Sequence, residues 1–126
     1  RGTTKAHIAR AALEGIALQN TDIMLAMAKD GVRPLSLKVD GGAAQSDLLM
    51  QIQADLLGIP CIRPDSAQKT ALGAAFMAGI AAGVFKSAED IKAVDEHKTV
   101  FTPNPHRAEA EDLLSRYHRI IQKVYL

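Results

Sequence analysis

A chain of 126 residues that is 48% hydrophobic and 23% charged has the size and composition of one globular domain with its own core, which excludes a disordered polypeptide. Its formal charge of +1, with Lys and Arg scattered rather than run together, gives no electrostatic basis for holding nucleic acid. The longest apolar stretch, Ala71 to Phe85, is short of the roughly 20 residues that span a bilayer, and glycines and alanines dilute it, so no membrane partner is expected.

Apolar residues recur at three- and four-residue spacing from Thr4 to Lys29 and predict a long amphipathic helix, with Ile8, Ala12 and Ile16 beside Ala9, Leu13 and Ala17, then Ile23 and Met27. Gly31 and Pro34 stop it. "PLSLKVD" alternates Leu35, Leu37 and Val39 on one face of a strand. Two glycines follow, and then a helix that Ser46 and Asp47 start, Leu49, Ile52 and Leu56 bury, and Gly58 ends. "IPCIRP" is a second short strand, and Cys61 within it reads as a small core residue rather than a nucleophile. With no second cysteine an internal disulfide is excluded, which suits a reducing cytoplasm.

"KTALGAAFMAGIAAGVF" predicts a helix with small residues on nearly every face, able to lie close against a neighbouring backbone. "SAEDIKAV", capped by Ser87, predicts one short helix, "TVFTPNP" an extended linker, and Ala108 to Val124 a last helix that packs through Leu113, Leu114, Tyr117, Ile120, Ile121 and Val124. The order helix, strand, helix, strand, helix argues for an α/β layer with part of its sheet parallel. Two short strands cannot cover these helices, and the chain opens without Met almost directly in a helix. We read residues 1–126 as one domain of a longer chain, with further strands before Arg1.

Glycine tolerates positive φ and lacks the Cβ that keeps a ligand off the backbone. A strand that ends in Gly41 and Gly42 and turns into a helix therefore offers a bare floor for a flat ring or a ribose, with free helix-terminal N–H groups beside it. Open α/β sheets bind ligands at that end of their strands. Neither the phosphate loop nor the three-glycine dinucleotide fingerprint is present, and on spacing alone a tight turn without a ligand is an equal reading. His7, His97, His106 and His118 have no metal-ligand spacing, so no metal site is expected, and surface positions are the default.

The block "VDGGAAQSDLLMQIQADLLGIPCIRPDSAQKTALGAAFMAGIAAGVF" resembles the C-terminal domain of the FGGY family of carbohydrate kinases, and within it the members that phosphorylate glycerol to glycerol 3-phosphate. "TTKAHIARAALEGIALQNTDIMLAM" resembles the helix before that motif and "FTPNPHRAEAEDLLSRYHRIIQKVY" the tail helix, so nearly the whole chain is covered. The resemblance implies a lobe of the actin-like, ribonuclease-H-like ATPase fold, truncated so that part of the sheet is missing. It implies ATP or ADP as the cofactor, with Mg²⁺ held outside these residues, and a polyol or sugar substrate bound by another domain. A homo-oligomer of the full-length enzyme is in keeping with it.

Carried over by position, Gly41, Gly42, Ala43 and Ser46 are implied to contact the nucleotide. Ser46 departs from the family, which usually has Asn there; a hydroxyl keeps the helix cap but replaces only part of the amide's hydrogen bonding. Leu49 stands where xylulose-acting members tend to carry Trp, which favours glycerol. Gln68 and Lys69 stand where the family commonly has Glu followed by Thr or Val. No catalytic residue is implied here, because the family's general base lies in the other domain; Asp40 is read as bracing the loop by accepting backbone N–H bonds. The alternatives are a lobe that serves xylulose, ribulose or gluconate, and a non-catalytic interaction module with the same fold.

Overall fold

The computed structural model describes residues 2–64, 69–87, 90 and 97–125. Helix α1 (Lys5–Lys29) begins at Thr4, whose hydroxyl accepts the His7 N–H while His7 Nδ1 accepts the Thr4 N–H, so two otherwise orphaned donors are satisfied. The helix buries Ala17, Leu18 and Thr21, with Leu13 at the margin. The expected stripe is only partly right: Ile8 and Ile23 are 65% and 61% exposed, and Ile16 is exposed as well. Helix α2 crosses α1 on the Ala17–Thr21 side, and the other apolar side has no cover among the described residues.

Strand β1 (Leu37–Lys38) lies parallel to β2 (Cys61–Pro64), with Leu37 opposite Cys61 and Lys38 opposite Ile62. The Leu37 and Val39 N–H groups donate to Pro60 O and Ile62 O at 2.8 and 3.0 Å, so the ladder runs to the residue before Asp40. Leu35 points into solvent instead of joining Leu37 and Val39, because pairing starts after it. The parallel pair needs a crossover, and α2 (Asp47–Leu57) supplies it. On the far side β3 (Lys98–Phe101) pairs antiparallel with β2, placing Phe101 opposite Cys61. The stretch expected as a linker is therefore a sheet strand up to Phe101, and the linker is confined to residues 102–107. The sheet order is β1-β2-β3 among the described residues.

The stripe of α2 is as its spacing predicts: Leu49, Ile52 and Leu56 are buried, joined by Met50, Gln53 and Ala54. Gly58, at φ +69°, ends the helix in the left-handed region. Arg107 then satisfies two of its last carbonyls, Nε donating to Asp55 O at 2.8 Å and Nη2 to Leu56 O at 3.1 Å, and a Cβ at Gly58 would strike that guanidinium. The last helix, α4 (Ala108–Tyr125), packs Leu113, Leu114 and Tyr117 on the core, while of the other residues expected on that side Ile121 is half-buried and Ile120 and Val124 are exposed.

Helix α3 (Lys69–Ala81) corrects another expectation. Ala71, Ala74, Ala75 and Ala78 are exposed rather than pressed on a neighbouring backbone. What lies close is the ring of Phe85, which folds back over Gly79, where a Cβ would meet it at 2.7 Å, and stacks edge-on against Phe76 at 5.8 Å. The short helix expected over "SAEDIKAV" falls largely outside the described residues. Among the described residues no helix is long and apolar enough to cross a membrane.

Candidate functional site

The strand-to-helix turn after β1 is held from three directions. Asp40 Oδ1 accepts the Gly41 N–H at 2.7 Å. A 3-10 turn over Ala43–Gln45 follows, closed by N–H donation from Ala44 to Gly41 O, from Gln45 to Gly42 O and from Ser46 to Ala43 O, at 3.1, 3.2 and 3.2 Å. Ala44 is buried in the main core cluster and so pins the turn from below. The helix starts at Ser46 and Asp47 as expected, and the residues between it and the glycines are a 3-10 turn rather than a plain loop. The N–H groups of Ala44, Gln45 and Ser46 are spent inside it, and α2 starts one turn later. Gly42 and Ala43 keep N–H groups with no partner among the described residues.

Gly41, Gly42 and Ala43 form one contiguous exposed surface, with Ser46 half-buried at its edge. Ser46 Oγ accepts the Leu49 N–H at 3.3 Å, which makes it the N-cap of α2, and Asp47 in the first turn suits the positive end of the helix dipole. The two glycines differ in kind. Gly41 sits at φ +94°, where a side chain is strained. Gly42 is at φ −60°, ψ −40°, open to any residue, and a Cβ there would meet nothing within 4 Å. Among the described residues nothing requires Gly42 to be glycine. Beside the turn, a groove of about 340 Å³ runs between α1 and β1, lined by Asn20 and Met24 on one wall and Val39, Asp40 and Ala43 on the other.

Sequence reasoning missed Arg63. From β2 its Nη1 donates to Ala44 O and pairs with Asp47 Oδ1, both at 2.8 Å, and its guanidinium lies 5.1 Å from the centre of the Phe101 ring. The signal was present as the one charge inside the apolar run "IPCIRP". Cys61, at the other end of β2, is fully buried, and burial pushes its thiol up from 9.0 to about 11, which leaves it protonated and inert, as a core residue should be. His7, His97 and His106 are exposed; His118 is half-exposed and pairs with Asp22 of α1, Nε2 to Oδ1 at 2.6 Å. Among the described residues no three His, Cys, Asp or Glu side chains come together to hold a metal. Gln68 and its neighbours before α3 lie outside the described residues.

Residues 1–82 match the model of the FGGY family of carbohydrate kinases, C-terminal domain. The chain belongs to this family. The FGGY domain here is 52% identical over 130 residues to a glycerol kinase of Acidovorax sp. (strain JS42), covering 98% of this chain and 26% of that protein. It is 50% identical over 124 residues to the glycerol kinase of Nitratidesulfovibrio vulgaris (strain DSM 19637 / Miyazaki F), covering 98% and 25%. The chain thus spans about a quarter of the length of the curated relatives it matches. Among solved structures, Plasmodium falciparum glycerol kinase with ADP superposes with a TM-score of 0.79 at 25% identity, over 100% of this chain and 26% of that one. Ligand-bound xylulose kinase from Lactobacillus acidophilus gives 0.77 at 27% identity, over 98% and 26%. These FGGY relatives share the α/β actin-like fold that the sequence implies, and this chain is similar to its C-terminal part.

Proposed function

We propose that this chain is the nucleotide-side lobe of an ATP-dependent kinase that phosphorylates glycerol to glycerol 3-phosphate, with Gly41, Gly42 and Ala43 as the floor under adenosine and Ser46 at its edge. The observation that carries the reading is Gly42. Its backbone angles suit any residue and a Cβ there would meet nothing within 4 Å among the described residues, which supports a reason for glycine that lies beyond them. A flat ring or ribose laid on the turn is such a reason. The partnerless N–H groups of Gly42 and Ala43 and the groove beside them fit a ligand with acceptor atoms and an apolar face.

Bound ATP supplies the phosphoryl group, and Mg²⁺ neutralises its charge during transfer. The residues of this chain bind and orient. Asp40 fixes the Gly41 peptide, the 3-10 turn fixes the height of the floor, and the Ser46 hydroxyl is committed to capping α2. In place of the family's usual Asn, Ser46 leaves the base one partner short, so adenine is held more by surface contact and by backbone than by side-chain hydrogen bonds. The general base, the metal ligands and the polyol pocket are assigned to other parts of the full-length kinase. The 52% and 50% identity to the Acidovorax and Nitratidesulfovibrio glycerol kinases favours glycerol over a pentulose or gluconate.

The test is ADP release by the full-length kinase with ATP, Mg²⁺ and a panel of glycerol, xylulose, ribulose and gluconate. Glycerol-dependent turnover is expected. Turnover with another sugar alone removes the glycerol assignment, and none with any of them removes the kinase.

A further inference from the structure

Neither glycine of the floor has a side chain to anchor it and glycine carries the greatest backbone freedom of any residue, so the turn is held by its neighbours. We infer that Arg63 is the positioning residue for the nucleotide turn: from β2 it clamps the 3-10 turn and the start of α2 in the geometry that receives adenosine. The inference rests on the nucleotide-floor reading above and adds to it a residue that never touches the ligand.

Three contacts converge on this side chain. One nitrogen, Nη1, donates to the Ala44 carbonyl inside the turn and to the Asp47 carboxylate in the first turn of α2, at 2.8 Å each. The guanidinium also lies over the Phe101 ring of β3. The platform is firm, since β2 is paired on both edges, with β1 on one side and β3 on the other. The arrangement is also costly. With its side chain only 14% exposed, Arg63 has lost most of its hydration, whereas Asp47 is 75% exposed and keeps most of its own. A desolvated guanidinium facing so hydrated a carboxylate returns little net stability, and an aliphatic residue at this place in an apolar strand would serve the core better. What the arginine alone provides is a directed grip on the Ala44 peptide, two residues beyond Gly42, from an element that does not belong to the turn.

A residue that sets the floor without touching the ligand has a defined signature. Its loss raises the KM for the nucleotide, leaves the KM for the polyol where it was and barely changes kcat, since the chemistry lies elsewhere. The experiment compares Arg63→Met, Arg63→Lys and Gly42→Val in the full-length kinase, with KM for ATP and for polyol measured separately and active-site concentration determined by titration. Methionine keeps the apolar stem over Phe101 and removes the nitrogen that makes both bonds, and the expected rise in KM for ATP is about tenfold, with kcat within about twofold. Lysine keeps a charged donor, but its ammonium is one bond shorter and lacks the planar guanidinium, so it is expected to restore only part of the loss. A side chain that merely supports the fold would lower thermal stability and the active fraction without separating the two KM values.

Unchanged KM for ATP in Arg63→Met, or an equal rise for both substrates, overturns the inference if Gly42→Val raises the KM for ATP. If Gly42→Val also leaves it unchanged, the nucleotide floor itself falls, and the role of Arg63 with it. Should Arg63→Met fail to fold, Arg63→Leu, which suits an apolar strand, removes the same grip on the Ala44 peptide. A rise of about twofold or more in KM for ATP is expected there, and no rise overturns the inference.

Discussion

Gln53 of α2 donates its amide to Thr21 Oγ1 of α1 at 3.1 Å, in a contact where each residue is 1% exposed. The same amide nitrogen lies 3.3 Å from Ala17 O, its oxygen accepts from Asn20 Nδ2 at 3.1 Å, and Thr21 Oγ1 donates to Ala17 O at 2.8 Å. The two helices are therefore joined by a closed polar network within an otherwise apolar contact. All of its buried side-chain polar atoms are satisfied.

Gln53→Leu keeps the volume and removes three hydrogen bonds at once. We expect a loss of about 1–3 kcal/mol, read as a lower urea midpoint with an unchanged slope. Gln53→Ala adds a cavity and is expected to cost more, about 2–4 kcal/mol. Midpoints equal to the parent in both variants would mean the network contributes nothing to joining α1 and α2.

The Asp22–His118 pair, which links α1 to α4, is expected to behave differently. Its Nε2–Oδ1 distance is short, 2.6 Å, but both side chains are about two-fifths exposed, so solvent screens the interaction. A double-mutant cycle with Asp22→Asn and His118→Gln is expected to give a coupling below about 1 kcal/mol that shrinks in high salt. A larger, salt-independent coupling would show that α4 is held on chiefly by this pair rather than by Leu113, Leu114 and Tyr117.

Much of this arrangement could be read from the chain. The α2 stripe was legible because Leu49, Ile52 and Leu56 are spaced for one helical face and because Ser46 and Gly58 mark both ends. The turn was legible because a glycine pair after an apolar strand has few uses. The buried face of α1 was not, since that helix carries apolar residues on two sides and only the position of α2 decides between them. Strand β3 was hidden because its pairing with β2 is non-local and its four residues run into "TPNP". Gln53 and Arg63 were hidden for a shared reason: a polar residue in an apolar pattern announces that it has a partner but not which one, and here the partners are Thr21 and Ala44.

Cys61 gives a prediction with a pH window. Its folded pKa is raised to about 11 by burial, from 9.0, so the native state holds the thiol proton where the unfolded chain has released it. Stability from this group is full below pH 9 and falls as pH rises towards 11. Cys61→Ala is expected to flatten that alkaline decline, followed by thermal unfolding at stepped pH. In the parent, a thiol reagent at neutral pH is expected to label the chain only as fast as it opens, and rapid labelling without denaturant would place Cys61 at the surface.

Gly41 and Gly42 are adjacent and exposed, yet alanine should affect them with opposite sign. At Gly41 a side chain must be held at φ +94°, a strain of about 1–2 kcal/mol, so Gly41→Ala is expected to destabilise by that order. At Gly42 the backbone is already helical and the Cβ finds open space, so Gly42→Ala removes freedom from the unfolded chain at no native cost and is expected to stabilise by about 0.4–1 kcal/mol. Thermal or urea unfolding of the two variants checks the signs directly. If Gly42→Ala is stabilising and at the same time weakens nucleotide binding by the full-length kinase, the glycine is retained against stability, which is the signature of a position kept bare for a ligand. If Gly42→Ala destabilises instead, the turn itself needs the glycine, and the strongest argument for an adenosine floor is gone.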